Sequence, residues 1–512
     1  MKNIIYIIIC LLAVSLSHSL LAQKPAECEP FTVGTIVDTD PEIITAPLPI
    51  LPTYPNPNPT PPPVDDYREI IWLHGLGGDG SSWADAPDAT TSSGTAVAGY
   101  PKRKARSYVM DYSTYGGHPI LSAIEQINNV VLGDIRPQVE DTKDMNFVIA
   151  HSQGGVIARG LDDKYIQQEA NPNEDDSRLF NGIVTFGTPH QGAQVLNNKD
   201  MFEPFAIRAC EGLTVAPITE LVESNPILDI FSGTIQEKRL QLCEFFGETL
   251  LPLVFNDFDQ QITEGYKVGG DFITDLNNAP PSPINKVAFY GIEQDNNDLF
   301  WRLFYSLVKT KVNDFPTFGA QNGEQHFVDS INMVRMRYQG LMEFAQSEID
   351  WLDDNLWWLC PVSILDAAIA CVNALSAQND HVERRNAYRI AIDWYNNVNN
   401  QYKTIIGARI RHEIVDTYCR CEMQVTYQNP CPEDCGEISV VDYVTYTEKP
   451  SDGVVLAESA MNFPGLASPN HARVLQGSNH QQMRNDQNTK IALKALFSGN
   501  EGLPYFFIVE ER

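Results

Sequence analysis

At 512 residues the chain has room for one large domain with insertions, or for two domains. Its content of 43% hydrophobic and 20% charged residues is that of a folded protein and excludes an intrinsically disordered one. A formal net charge of −30 argues against a nucleic-acid partner, because such a surface repels phosphate backbones and anionic membrane surfaces alike.

In chain order, Lys2 precedes an almost wholly apolar run over 4–16 and small residues over 17–22. That is the pattern of an export signal, with cleavage expected after Ala22; an uncleaved anchor is the other reading. No later stretch reaches the roughly 20 apolar residues that span a bilayer, so the mature chain is expected in a periplasmic or extracellular space, without stable membrane insertion. Residues 23–66 form a proline-rich segment, densest over 41–63, which reads as an extended tether. Folding is expected to begin at Tyr67 and to run through residue 512.

From there short apolar runs alternate with helical stretches. Strands are expected at 69–73, 108–112, 146–150, 182–186 and 286–291, with helices at 120–132 and from 156 to 164. Two insertions interrupt the rhythm, at about 196–284 and 299–436. The first carries helical pieces at 217–232 and 238–246; the second is rich in Trp and Tyr, with helical spacing over 326–359 and 381–415. Those aromatics read as helical core rather than as a sugar-binding face. The sheet pattern is expected to resume at 438–447 and to continue to the end. The fold class that follows is α/β: a mostly parallel sheet with helices on both faces and a large helical cap insertion.

Nine cysteines follow Cys10. Export implies an oxidising compartment, so disulfides are expected, including among Cys419, Cys421, Cys431 and Cys435, in preference to a four-thiolate zinc site. Spacing does not reveal which cysteines pair.

The chemistry is concentrated in Ala150-His151-Ser152-Gln153-Gly154, between a strand and a helix. A serine on such a turn is held in a strained conformation with its hydroxyl presented, and small residues two positions to either side let the turn pack. The N–H of Gln153, at the start of the helix, is a candidate donor to a developing oxyanion. A second is the N–H of Leu76, in His74-Gly75-Leu76-Gly77-Gly78 after the first strand. A serine hydroxyl needs a base, and in this order of elements an acid and then a histidine follow the serine. His480, in a loop before the last helix, is the expected base, with His471 its competitor. His190 lies too near the serine, and His326, His381 and His412 fall in the helical insertion. Asp452, in Ser451-Asp452-Gly453-Val454-Val455, is the expected acid; Glu293, Asp295 and Asp298 are the alternatives.

Together with Phe186-Gly187-Thr188-Pro189-His190-Gln191-Gly192, these segments resemble bacterial lipases and esterases of the α/β-hydrolase superfamily over 69–195, 284–292 and 438–495. The resemblance implies hydrolysis of an ester or lipid substrate through an acyl-enzyme on Ser152, with Asp452 and His480 as acid and base and no cofactor. Many such lipases hold a structural calcium partly through an aspartate soon after the histidine; here Gln481 and Gln482 follow His480, and no metal is expected. Phospholipase, thioesterase and polyester depolymerase activities remain open, as does a non-catalytic binding module on the same scaffold. The two insertions are expected to cap the site and select the acyl or alcohol group.

Overall fold

The computed structural model describes residues 67–83, 86–87, 104–131, 146–169, 180–214, 235–244, 260–293, 298–310, 318–359, 365–420 and 436–497. The export segment, the tether, the helix expected at 217–232, Asp295, Cys421, Cys431, Cys435 and the side chain of Cys419 lie outside the described residues.

The strands are β1 (Tyr67–Leu73), β2 (Lys104–Met110), β3 (Phe147–His151), β4 (Gly182–Phe186), β5 (Asn285–Ile292), β6 (Arg409–Arg420), β7 (Gly436–Glu448) and β8 (Ala472–Gln476). Six of them form one sheet in the order β2-β1-β3-β4-β5-β8, every neighbouring pair parallel. The central strands β3 and β4 are buried along their whole length, which is why their sequences are nearly continuous apolar runs, broken only by His151 and Thr185, rather than alternating ones. Successive residues serve opposite faces: Ile71, Leu73, Val148 and Ala150 enter one core, and Ile70, Trp72, Phe147 and Ile149 the other.

Helices close both faces. The longer ones are α1 (Ile120–Val130), α2 (Gln153–Glu169), α3 (Phe202–Thr214), α4 (Ile235–Glu244), α5 (Asp271–Asn278), α6 (Leu299–Thr310), α7 (Phe318–Leu359), α8 (Leu365–Ile405) and α9 (Gln487–Phe497). Ile124 and Ile127 of α1 pack with Val156 and Ile157 of α2 on the first face, while Leu493 and Leu496 of α9 cover the second. Helices α6, α7 and α8 carry the aromatic residues of the second insertion, many of them inside. Trp301 and Trp394 lie 5.3 Å apart, with the Trp301 indole N–H donating to Tyr395 O and the Trp394 indole N–H to Ala209 O. Phe344 and Trp351 of α7 are exposed. Cys243 on α4 and Cys371 on α8 are both disulfide-bonded.

Strand β2 runs over Lys104–Met110 rather than the expected 108–112, and two further segments differ in kind from expectation. Residues 438–447 do form a strand, but β7 pairs antiparallel with β6 in a separate two-stranded ribbon and does not extend the parallel sheet. Helix α8 stops at Ile405, before a left-handed Gly407 (φ 78°), so that 409–415, expected as helix, belong to β6. The sixth sheet strand is instead β8, an edge strand in which only Leu475 is buried; its faint apolar signal follows from that position. No helix among the described residues is long and apolar enough to cross a membrane, and no group of three or more potential metal ligands occurs among them.

Candidate active site

Ser152 sits between β3 and α2 with φ 53°, the one non-glycine residue at positive φ among the described residues. This backbone conformation costs about 1 kcal/mol for a residue with a Cβ and persists only where the surroundings impose it. Here the Ser152 N–H donates to Phe186 O at 2.9 Å, and Ser152 O accepts from the Gly155 N–H at 3.0 Å, fixing both ends of the turn.

The histidine and the acid come from two later loops that follow β8 and β7. His480 Nε2 lies 2.9 Å from Ser152 Oγ, and its Nδ1 lies 2.8 Å from Asp452 Oδ2. All three residues are buried. The carboxylate requires a hydrogen on Nδ1, so the lone pair on Nε2 faces the serine hydroxyl, the tautomer a general base needs. Asp452 is aimed by its own turn: Oδ1 accepts the N–H groups of Val454 at 2.9 Å and Val455 at 2.7 Å. Ser451 Oγ accepts the Gly453 N–H and donates to Val455 O, tightening the same turn. Backbone donors of this kind hold the carboxylate in one orientation.

The fold is that of an α/β-hydrolase. Its parallel sheet, the serine elbow after a central strand, and the chain order serine, acid, histidine are the marks of that architecture.

The competing residues are engaged elsewhere. His471 precedes β8 and meets Lys286 O, at the end of the sheet opposite to Ser152. Glu293 is buried with its carboxylate 3.5 Å from Arg302 Nε, and Asp298 accepts from Arg335 at 2.7 Å and Asn332 at 3.1 Å. His190 is buried against Phe463, with Nε2 on Thr185 Oγ1, and burial pushes its imidazole well below the usual histidine value. His326 and His412 are exposed, and His381 lies partly exposed along α8.

On the serine's other side, the loop carrying Leu76 is clamped. The His74 ring stacks on Tyr112 with centroids 3.9 Å apart, His74 Nδ1–H donates to Gly75 O, and the Tyr112 hydroxyl donates to His74 O. A Cβ placed on Gly75 would lie 2.9 Å from Ser152 Cβ, so glycine lets this loop approach Ser152 more closely than a residue with a side chain could. Gln153 opens α2, where backbone N–H groups have no intrahelical acceptor, and its buried side-chain Nε2 has no hydrogen-bond partner among the described residues.

Several supporting residues carry no local signature. Tyr402, on α8, donates its hydroxyl to Gly453 O at 2.7 Å and so braces the acid's turn from the helical insertion. Burial, and then the Asp452 charge, push its phenol far above the ordinary value, keeping it a donor. Gly187, next to the strand end that holds Ser152, has φ 56°, and a Cβ there would lie 3.0 Å from Asp452 Oδ2 and 3.1 Å from His480 Nδ1. Gly187→Ala is therefore expected to push the acid–base pair apart and lower kcat by about 10²-fold, the effect of misplacing a reacting group by an ångström. Steady-state kinetics with a thermal melt checks this, and a folded variant with wild-type kcat would show that the pair tolerates the methyl group.

No family model matches the chain, and no curated protein sequence matches it. Among solved structures, phospholipase PlaB from Legionella pneumophila in complex with thio-NAD is 12% identical over 50% of this chain and 43% of its own, with a TM-score of 0.29. An extracellular alpha/beta-hydrolase from Paenibacillus species is 13% identical over 44% and 77%, with a TM-score of 0.23. The peroxisomal alpha-beta-hydrolase Lpx1 from Saccharomyces cerevisiae is 13% identical over 44% and 62%, with a TM-score of 0.26. The chain spans less than half the length of PlaB.

Proposed function

We propose that the protein is an exported serine hydrolase that cleaves carboxylic esters, a lipase or esterase, by way of an acyl-enzyme. The observation that carries this reading is His480 bridging Ser152 and Asp452 at 2.9 and 2.8 Å in a buried site at the C-terminal end of the parallel sheet. Ser152 Oγ attacks the ester carbonyl while its proton passes to His480 Nε2. The tetrahedral oxyanion is held by the N–H groups of Gln153 and Leu76. As the intermediate collapses, the C–O bond to the alcohol breaks and the alcohol leaves with the proton from Nε2. Water then attacks the acyl-enzyme, giving its proton to the same nitrogen, and the carboxylic acid is released as Ser152 regains its hydrogen. Asp452 Oδ2 accepts the Nδ1–H throughout, orienting the ring and stabilising the imidazolium.

Export is supported by the N-terminal pattern of Lys2 followed by the apolar run, and by the disulfide-bonded Cys243 and Cys371, which suit an oxidising compartment. The two insertions, about 196–284 and 299–436, are the parts of the chain we assign to selecting the acyl or alcohol group. The test is turnover of p-nitrophenyl esters of graded chain length beside triglyceride emulsions, with fluorophosphonate labelling mapped by peptide mass spectrometry. Hydrolysis with the label on Ser152 is expected. No hydrolysis of any ester together with no labelling would remove the reading.

A further inference from the structure

His151, the residue before the nucleophile, has no part in the chemistry described above, yet it is buried beside both Ser152 and His480. Its Nε2 lies 2.8 Å from the backbone carbonyl oxygen of His480, a residue 329 positions later in the chain. A carbonyl only accepts, so Nε2 carries the hydrogen and donates it. The ring lies 4.6 Å from the His480 ring, and its other nitrogen, Nδ1, would be 2.7 Å from a Cβ on Gly75. His151 therefore stands between the loop that bears Leu76 and the loop that bears His480. Burial, with the nearby charges of His480 and Arg484 adding to it, pushes its imidazole well below the usual value, so the ring stays a neutral, single-hydrogen donor.

The backbone of His480 is thereby held from both sides. Its N–H donates to Asp452 O at 2.8 Å, and its C=O accepts from His151. The N–H anchor comes from the acid's turn and the C=O anchor from the serine's turn, so each of the other two loops fixes the base independently of the side-chain contacts. We propose that His151 is a positioning residue, fixing the main chain of His480 through Nε2–H so that the imidazole stays within reach of Ser152 Oγ. The inference rests on the serine-hydrolase reading of this site.

The test compares His151→Leu, which has no donor, with His151→Gln, whose amide nitrogen reaches about as far as Nε2. A base displaced by an ångström costs about 10²-fold in rate. His151→Leu is expected to lose that much in kcat and in the second-order rate of fluorophosphonate labelling, with KM within about threefold of wild type, since no substrate contact is lost. His151→Gln is expected to recover to within about tenfold of wild type. A folded leucine variant labelled at the wild-type rate overturns the proposal, as do leucine and glutamine variants that are equally slow. If the leucine variant does not fold, His151→Asn takes its place, because its amide is too short to reach the carbonyl; wild-type labelling there is equally fatal. Wild-type protein that takes no label at all defeats the serine-hydrolase reading and this inference with it, whereas a labelled wild type beside a wild-type-like leucine variant defeats this inference alone.

Discussion

Ser152→Ala is expected to abolish ester hydrolysis and fluorophosphonate labelling, with a loss in kcat on the order of 10⁶-fold, as for removal of the nucleophile in a serine protease. The loss is that large because His480 and Asp452 act only through the hydroxyl: without Oγ, the lone pair on Nε2 has no proton to take. The variant should fold normally, since alanine has the same Cβ as serine and the backbone contacts of the turn, to Phe186 O and from Gly155 N–H, do not involve the side chain. A second substitution separates strain from chemistry. Ser152→Gly removes the Cβ from a residue at φ 53°, and it is expected to be equally inactive but to melt no lower than the alanine variant, since relief of left-handed strain is worth about 1 kcal/mol. Differential scanning fluorimetry beside an activity assay measures both. Persistent labelling of Ser152→Ala would assign the nucleophile to another residue.

Asp452→Asn is expected to lower kcat by about 10⁴-fold while leaving the fold intact. The reason is a tautomer. Asparagine can still offer a carbonyl oxygen to the N–H groups of Val454 and Val455, which hold Oδ1 of the aspartate. Its NH₂ group then faces His480 Nδ1, where Oδ2 stands in the native protein, and Nδ1 must become the acceptor. The hydrogen moves to Nε2 and points at Ser152, so the imidazole can no longer take the serine's proton. Asp298→Asn makes the contrast. It weakens a buried pair with Arg335 on α7, so its effect is expected on melting temperature, through a loss of up to about 3 kcal/mol, with kcat changed by less than about tenfold. Turnover of a short-chain ester by each variant, with circular dichroism for folding, decides the matter. Near-native kcat in Asp452→Asn would place the acid elsewhere.

Much of the sheet was legible in the sequence because its signals are local. Buried parallel strands such as FVIAH and GIVTF are mostly apolar, their polar members His151 and Thr185 being hydrogen-bonded, and the elbow needs a serine between a strand and a helix with small neighbours, so each declares itself within about ten residues. Less legible was β8, since an edge strand with one buried residue leaves almost no apolar pattern. The β6–β7 ribbon was half seen. Its second strand has the composition of a sheet strand, but whether a strand joins the main sheet or pairs with a neighbour is set by hydrogen bonds to distant residues, which composition does not encode.

At the site, motif and chain order pointed to Ser152 and put His480 and Asp452 first, leaving His471 as a second base and Glu293, Asp295 and Asp298 as second acids. Tertiary structure alone decided that the three meet. It also decided that Glu293 and Asp298 turn toward arginines, and that His471 lies at the far end of the sheet. The supports were invisible beforehand for the same reason. Tyr402 reaches the acid's turn from across 51 positions, and His151 grips a carbonyl 329 positions away. A side chain's residue type states what bonds it can make; only the packing of the whole chain selects the partner, because burying a donor without an acceptor is costly and the fold must supply one.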